Sequence, residues 1–174
     1  MGVPEGGGMT GVIGMLHCGM GPTVALRFDI DALPVRECEE LDHFPAQEGF
    51  RSEHAGYMHA CGHDGHITVG LGTAKLLCQM REQLHGTVKF IFQPAEEGVR
   101  GARAIVENGH LEDVDFLLAA HMYGGSEQHP CGICITAGHG LATTKLDVDF
   151  HGKASHAAAA PEQGNNALLA AATA

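Results

Sequence analysis

Basic side chains are scarce in this sequence. Its 174 residues hold 10 Lys and Arg against 21 Asp and Glu, a net charge of −11 with His neutral. Nucleic-acid binders neutralise phosphates with Lys and Arg, so this balance argues against DNA or RNA as a partner. A basic run suited to a membrane surface is also missing. No apolar stretch reaches the roughly 18 residues of a membrane-spanning helix. The first ten residues are rich in Gly and carry only Glu5 as a charge, so they lack the basic and apolar parts of a signal peptide. Long polar tracts are missing as well: 18% of residues are charged and 44% are hydrophobic. Such a composition supports a folded core and argues against disorder. There is no internal repeat. Gly6-Gly7-Gly8 lacks the strand and helix that would make it a phosphate-binding loop.

What is plentiful is histidine, thirteen in all, with His54, His59, His63 and His66 close together. Neutral imidazole is the commonest protein ligand for metals. The six cysteines (Cys18, Cys38, Cys61, Cys78, Cys131, Cys134) are irregularly spaced, which favours free thiols and a reduced, cytoplasmic setting. Cys131 and Cys134 have the spacing of a metal or redox pair, but no second pair accompanies them, so they carry no assignment.

Hydrophobic patterning predicts an α/β fold. Val12 to His17 and Thr23 to Ile30 read as two strands of a hairpin around Gly19, Gly21 and Pro22. Pro34 ends pairing, and 35–60 reads as loop. Gly65 to Leu84 has a helical stripe of Ile67, Leu71, Ala74 and Leu77, with Asp64 as its cap. Thr87 to Gln93 is a strand, Gly101 to Asn108 a short helix stopped by Gly109, and Val114 to Ala120 a buried strand. Strand and helix alternate with short links, which implies a largely parallel layer. Further on, Gly132 to Ala137 and Thr143 to Phe150 read as strands and 152–164 as a loop. Asn166 to Ala174 reads as the start of a helix that looks cut rather than finished.

Ligands of open α/β sheets sit beyond the carboxyl ends of parallel strands. Asp29 and Asp31 fall there, as do Glu96 and Glu97 past Pro94, and His121 after its strand. Cys61 and His63 lie in the loop that feeds the first long helix, with Gly62 allowing a sharp bend between them. Thiolate, imidazole and carboxylate together suit a divalent ion such as zinc or manganese. Of two adjacent glutamates, one can bind metal while the other takes a proton from an activated water. Each residue has an ordinary reading too: a buried thiol, solvated carboxylates, a surface His, a turn-forming Asp. Those readings would all have to hold at the same sheet edge.

At these residues the chain resembles the M20 metallopeptidases in their amidohydrolase branch, which includes hippurate, auxin-conjugate and aminobenzoyl-glutamate hydrolases. The matching strings are Arg27 to Pro34 (RFDIDALP), Met58 to His66 (MHACGHDGH), His85 to Gly98 (HGTVKFIFQPAEEG), Ala120-His121, Gly152 to Ala157 (GKASHA) and Pro161 to Ala167 (PEQGNNA). The resemblance covers nearly the whole chain. It implies Cys61, His63, Glu97 and His121 as ligands of one or two Zn or Mn ions. It implies Glu96 as general base, Asp31 as a supporting carboxylate, and His156 as a lid residue that steadies the tetrahedral intermediate in a partner's site. It implies hydrolysis of the amide of N-acyl or N-aroyl amino acids, aminobenzoyl-glutamate among them. It further implies a partial zinc-peptidase-like catalytic domain over 1–141, a mixed and largely parallel sheet with flanking helices. Residues 142–174 would begin an α+β lid through which the complete protein forms a homodimer.

The family also has an earlier N-terminal segment and a later return to the catalytic domain that supplies another ligand His; no residue here matches that His. A second reading is therefore a truncated, inactive piece that binds metal or pairs with a homologous subunit. The third is a thiol hydrolase with Cys61 as nucleophile and His63 or His121 as base, which leaves Glu96 and Glu97 unexplained.

Overall fold

The computed structural model describes residues 10–40, 42–123, 132–133 and 146–174. The chain divides into two compact units, Met1–His139 and Gly140–Ala174.

The first unit is built on four strands: β1 (Val12–His17), β2 (Thr23–Asp29), β3 (Thr87–Gln93) and β4 (Phe116–Ala119), in the order β1-β3-β2-β4. β2 pairs parallel with both β3 and β4, while β1 pairs antiparallel with β3. The sheet is thus mixed and mostly parallel, as the alternation of strands and helices implies. The hairpin expected between β1 and β2 does not form, because β3 lies between them. Strand periodicity reports which face is buried but not which neighbour pairs. Here the turn between β1 and β2 packs on the start of β3: Cys18 N–H donates to the Gly86 carbonyl at 2.8 Å, and Thr87 N–H to the Pro22 carbonyl at 2.9 Å.

Among the described residues of this unit are the α-helices α1 (Phe44–Gln47), α2 (His63–Gln79) and α3 (Gly101–Glu107), with a 3-10 turn at Arg81–Gln83. α1 is a single turn inside the segment expected to be loop. Successive β3 side chains face opposite sides of the sheet, as a pleat requires. Phe90 joins Leu16 and Phe28 under Ala74 and Leu77 of α2, and Ile91 joins Ala25 and Ile105 of α3. Each large aliphatic or aromatic side chain so buried contributes roughly 1.5–3 kcal/mol. α2 fits closely because Gly70 faces Phe28 and Phe92, where a Cβ would lie 2.7–3.0 Å from ring atoms.

Two local expectations need correction. Asp64 does not cap α2. The cap is Gly62 in a left-handed conformation (φ 84°), and His63 is already the first helical residue. β4 is shorter than expected and all four of its residues are exposed; among the described residues it is an edge strand paired only to β2. Its apolar run reads as buried, yet among the described residues no helix packs extensively on it.

In the second unit, α4 (Ala167–Thr173) starts at Asn166, whose side chain accepts the Leu169 N–H at 3.0 Å. Lys153 and Asn165 form an antiparallel bridge around a 3-10 turn at Pro161–Gln163. Residues 146–150, expected to be strand, are exposed and irregular. The remainder of that expected strand, most of 132–137, and Cys131 and Cys134 lie outside the described residues.

Candidate metal centre

Parallel pairing puts the carboxyl ends of β2, β3 and β4 on one edge, and the segments leaving them carry the polar cluster. Asp29 ends β2 and Asp31 follows it. Glu96 and Glu97 lie in the turn between β3 and α3, and His121 follows β4. From the other side comes the start of α2, where the left-handed Gly62 turns the chain between Cys61 and His63.

Potential ligand atoms of Cys61, His63 and His121 lie within 4.8 Å of one another, and so do those of His63, Glu96 and Glu97. The two groups share His63. Cys61 Sγ is 3.5 Å from His121 Nε2. Metal bonds of about 2.3 Å to sulfur and about 2.0 Å to nitrogen, meeting at a tetrahedral angle, would separate the two atoms by about 3.5 Å.

Backbone carbonyls orient both imidazoles. His63 Nδ1 donates to the Asp31 carbonyl at 2.9 Å, and His121 Nδ1 donates to the Met122 carbonyl at 2.7 Å. With Nδ1 protonated, Nε2 of each ring presents its lone pair, the arrangement of a histidine ready to bind metal. His63 is fully buried and its Nε2 has no hydrogen bond. A buried nitrogen left without a partner is costly in an apoprotein, and a cation would satisfy it.

Asp31 organises the rim with both its polar groups. Its carbonyl holds His63, and its carboxylate accepts the Glu97 N–H at 3.0 Å. The glutamate turn is itself strained. Ala95 and Val99, on either side of Glu96 and Glu97, have φ of 52° and 56°. Such left-handed non-glycine residues concentrate at functional sites.

The charge of the cluster is negative. Burial, followed by the Glu97 and Glu96 carboxylates and Asp29, pushes the Cys61 thiol up from its ordinary value. A cysteine nucleophile needs the opposite shift, which weighs against the thiol-hydrolase reading. A divalent cation would reverse the local balance and hold the sulfur as thiolate. Donor types, spacing and charge all fit such an ion.

Two residues that the sequence places in the cluster without a specific task are central to the geometry. Asp29, fully buried, ion-pairs with Arg27 at 2.7 Å and accepts a hydrogen bond from His66 Nδ1. Burial pushes its carboxyl up, but the His66 bond, Arg27 and the neighbouring histidines outweigh that and hold it below the usual carboxylate range. His66 belongs to the close group Asp29, His63 and His66. Its Nε2, however, already accepts the Met122 N–H at 2.7 Å, so both ring nitrogens are in use. The available signal was the spacing of three between His63 and His66, which puts both on one face of α2.

His156 belongs to the second unit. Its Nδ1 accepts the N–H groups of Ala158 and Ala159, at 3.2 and 3.0 Å. That leaves the Nε2–H as the group free to donate.

Among the described residues no helix is long and apolar enough to cross a membrane.

Residues 25–174 match the model of peptidase family M20/M25/M40. One of the subunits of the p-aminobenzoyl-glutamate hydrolase of Escherichia coli (strain K12) is 51% identical over 170 residues, 97% of this chain and 38% of that protein. The indole-3-acetyl-aspartic acid hydrolase of Enterobacter agglomerans is 50% identical, also over 97% of this chain and 38% of its own length. The chain thus spans 38% of the length of these curated relatives. A crystal structure from Bacillus subtilis, described as a dinuclear metal binding peptidase from the M20 family, superposes with a TM-score of 0.57. It is 47% identical, over 64% of this chain and 29% of that one. By the family match and by its mixed, mostly parallel sheet, this chain belongs to peptidase family M20/M25/M40.

Proposed function

We propose that the protein is a metal-dependent hydrolase of the amide bond in N-acyl or N-aroyl amino acids, with Cys61, His63, Glu97 and His121 as its metal ligands. The observation that carries this reading is the pair of imidazoles pinned through Nδ1 to backbone carbonyls, with His121 Nε2 beside Cys61 Sγ and His63 Nε2 buried without a partner. Relatives described as hydrolases of aminobenzoyl-glutamate and indole-3-acetyl-aspartate support an acylated acidic amino acid as the substrate class. A bound divalent ion, Zn or Mn, would polarise the amide carbonyl and make water nucleophilic near neutral pH. The two groups that share His63 offer room for one ion or two.

The chain's own residues have separate tasks. Glu96 takes the proton from the attacking water and returns it to the leaving amine, the work of a positioned general base. Asp31 holds the base's neighbour and His63 in place through its two hydrogen bonds. His156, with its Nε2–H free, donates to the oxyanion of the tetrahedral intermediate, acting across a homodimer formed by the lid that 142–174 begins. Cytoplasmic residence fits the free thiols of Cys18, Cys38, Cys61 and Cys78.

The test is hydrolysis of a panel of N-acyl and N-aroyl amino acids before and after chelation. Loss of turnover on chelation, with recovery on adding Zn or Mn, is the expected result. Turnover that survives metal removal would sink the reading.

A further inference from the structure

His66 is buried and titratable, and the proposed reaction gives it no task. Its ring lies among those of the two proposed ligand histidines. Ring centroids are 5.2 Å apart for His63 and His66, and 4.6 Å apart for His66 and His121. It is not itself a ligand, because the Asp29 carboxylate fixes the proton on Nδ1 and the Met122 N–H occupies Nε2.

Those two bonds make His66 a link in a continuous chain. Arg27 holds Asp29, Asp29 accepts from His66, and His66 accepts from the backbone of Met122. The carbonyl of the same Met122 accepts from His121 Nδ1. The segment that carries His121 follows the exposed edge strand β4, and its Met122 side chain lies against Gly62 and Gly65 at the start of α2. Side-chain packing leaves the backbone of this segment free to rotate, and the hydrogen bond from Met122 N–H to His66 fixes it.

We propose that His66 is a positioning residue for metal binding, which fixes the Met122 backbone and through it the orientation and tautomer of His121. The inference rests on the reading of His121 as a ligand. Loss of such a group behind a ligand typically weakens metal affinity 10–100-fold.

The probe is Co2+, titrated into the metal-free protein and followed by its visible and thiolate charge-transfer absorption. His66→Asn keeps a donor where Nδ1 meets Asp29 but cannot reach Met122. His66→Gln places a carboxamide oxygen near the position of Nε2. The Asn variant is expected to bind Co2+ 10–100-fold more weakly with an altered spectrum, and the Gln variant to recover within roughly twofold of the wild type. His121→Ala and His66→Asn/His121→Ala should then bind alike, because the first change already removes what His66 supports. Wild-type affinity and spectrum in His66→Asn, or losses from the two changes that multiply, would overturn the proposal.

Wild-type protein that binds no Co2+ would overturn the metal reading itself, and His66 with it. Hydrogen exchange of the wild type gives a measurement free of folding effects in variants. The Met122 amide should be protected well beyond that of Tyr123, and exchange at the rate of an open loop would refute the bond to His66.

Discussion

Cys61 and His121 are sixty residues apart in sequence, yet Cys61 Sγ lies 3.5 Å from His121 Nε2. One residue precedes the first long helix and the other follows the last strand of the sheet. Only the folded sheet edge brings them to a separation that suits two ligands of one ion.

Replacing either partner should therefore cost metal. Cys61→Ala and His121→Ala are each expected to weaken Zn binding by roughly 100-fold or more, exceeding the effect typical of groups behind the ligands. Metal content after dialysis against a weak chelator reads this directly. Wild-type content in either variant would remove that residue from the ligand set.

Glu96 and Glu97 should separate in their effects. Glu96→Gln is expected to lower kcat by roughly 100- to 10,000-fold, the usual worth of a general base, while metal stays bound. Glu97→Gln should lose metal as well as turnover. Parallel assays of metal content and rate distinguish the two, and equal metal loss in both variants would undo the division of roles.

Acid should destabilise the metal-free protein through Asp29. Its folded carboxyl titrates below the ordinary value of 3.8. A depressed carboxyl stabilises the fold in full above its unfolded value and loses that contribution as pH falls through the folded value. Denaturant midpoints of the chelated protein should thus fall steeply below about pH 4. Asp29→Asn should flatten that limb while lowering stability near neutrality. An unchanged acid limb would mean that Asp29 is not the group responsible.

Gly70 gives a test of the packing that holds α2, and with it His63 and His66, on the sheet. A Cβ there would fall 2.7 Å from the Phe92 ring and 2.9 Å from Phe28. Gly70→Ala is expected to destabilise by about 1–3 kcal/mol, the usual cost of overpacking a filled core. Thermal or urea unfolding measures it. A stabilised variant, as expected for Ala in an open helix position, would show that the rings yield freely.

Much of the placement of the candidate site was legible in the residues. Glu96 and Glu97 sit just past a strand whose bounds, Thr87–Gln93, are those the pattern implies. His121 follows a run of apolar residues that does form a strand, and Gly62 does turn the chain between Cys61 and His63. These features depend on short-range chemistry: β-branched and aromatic runs, a Pro that ends pairing, a Gly that takes positive φ.

Sequence alone therefore determined the residue types at the strand ends, the parallel character of β2, β3 and β4, and the family resemblance later matched over residues 25–174. Tertiary structure decided the rest. It put β3 between β1 and β2, left β4 exposed at the edge, and engaged both nitrogens of His66 so that His63, not it, presents an unpartnered Nε2. Strand neighbours and the tautomers of His63 and His66 depend on partners tens of residues away, and a local pattern of hydrophobic and polar residues contains no record of them.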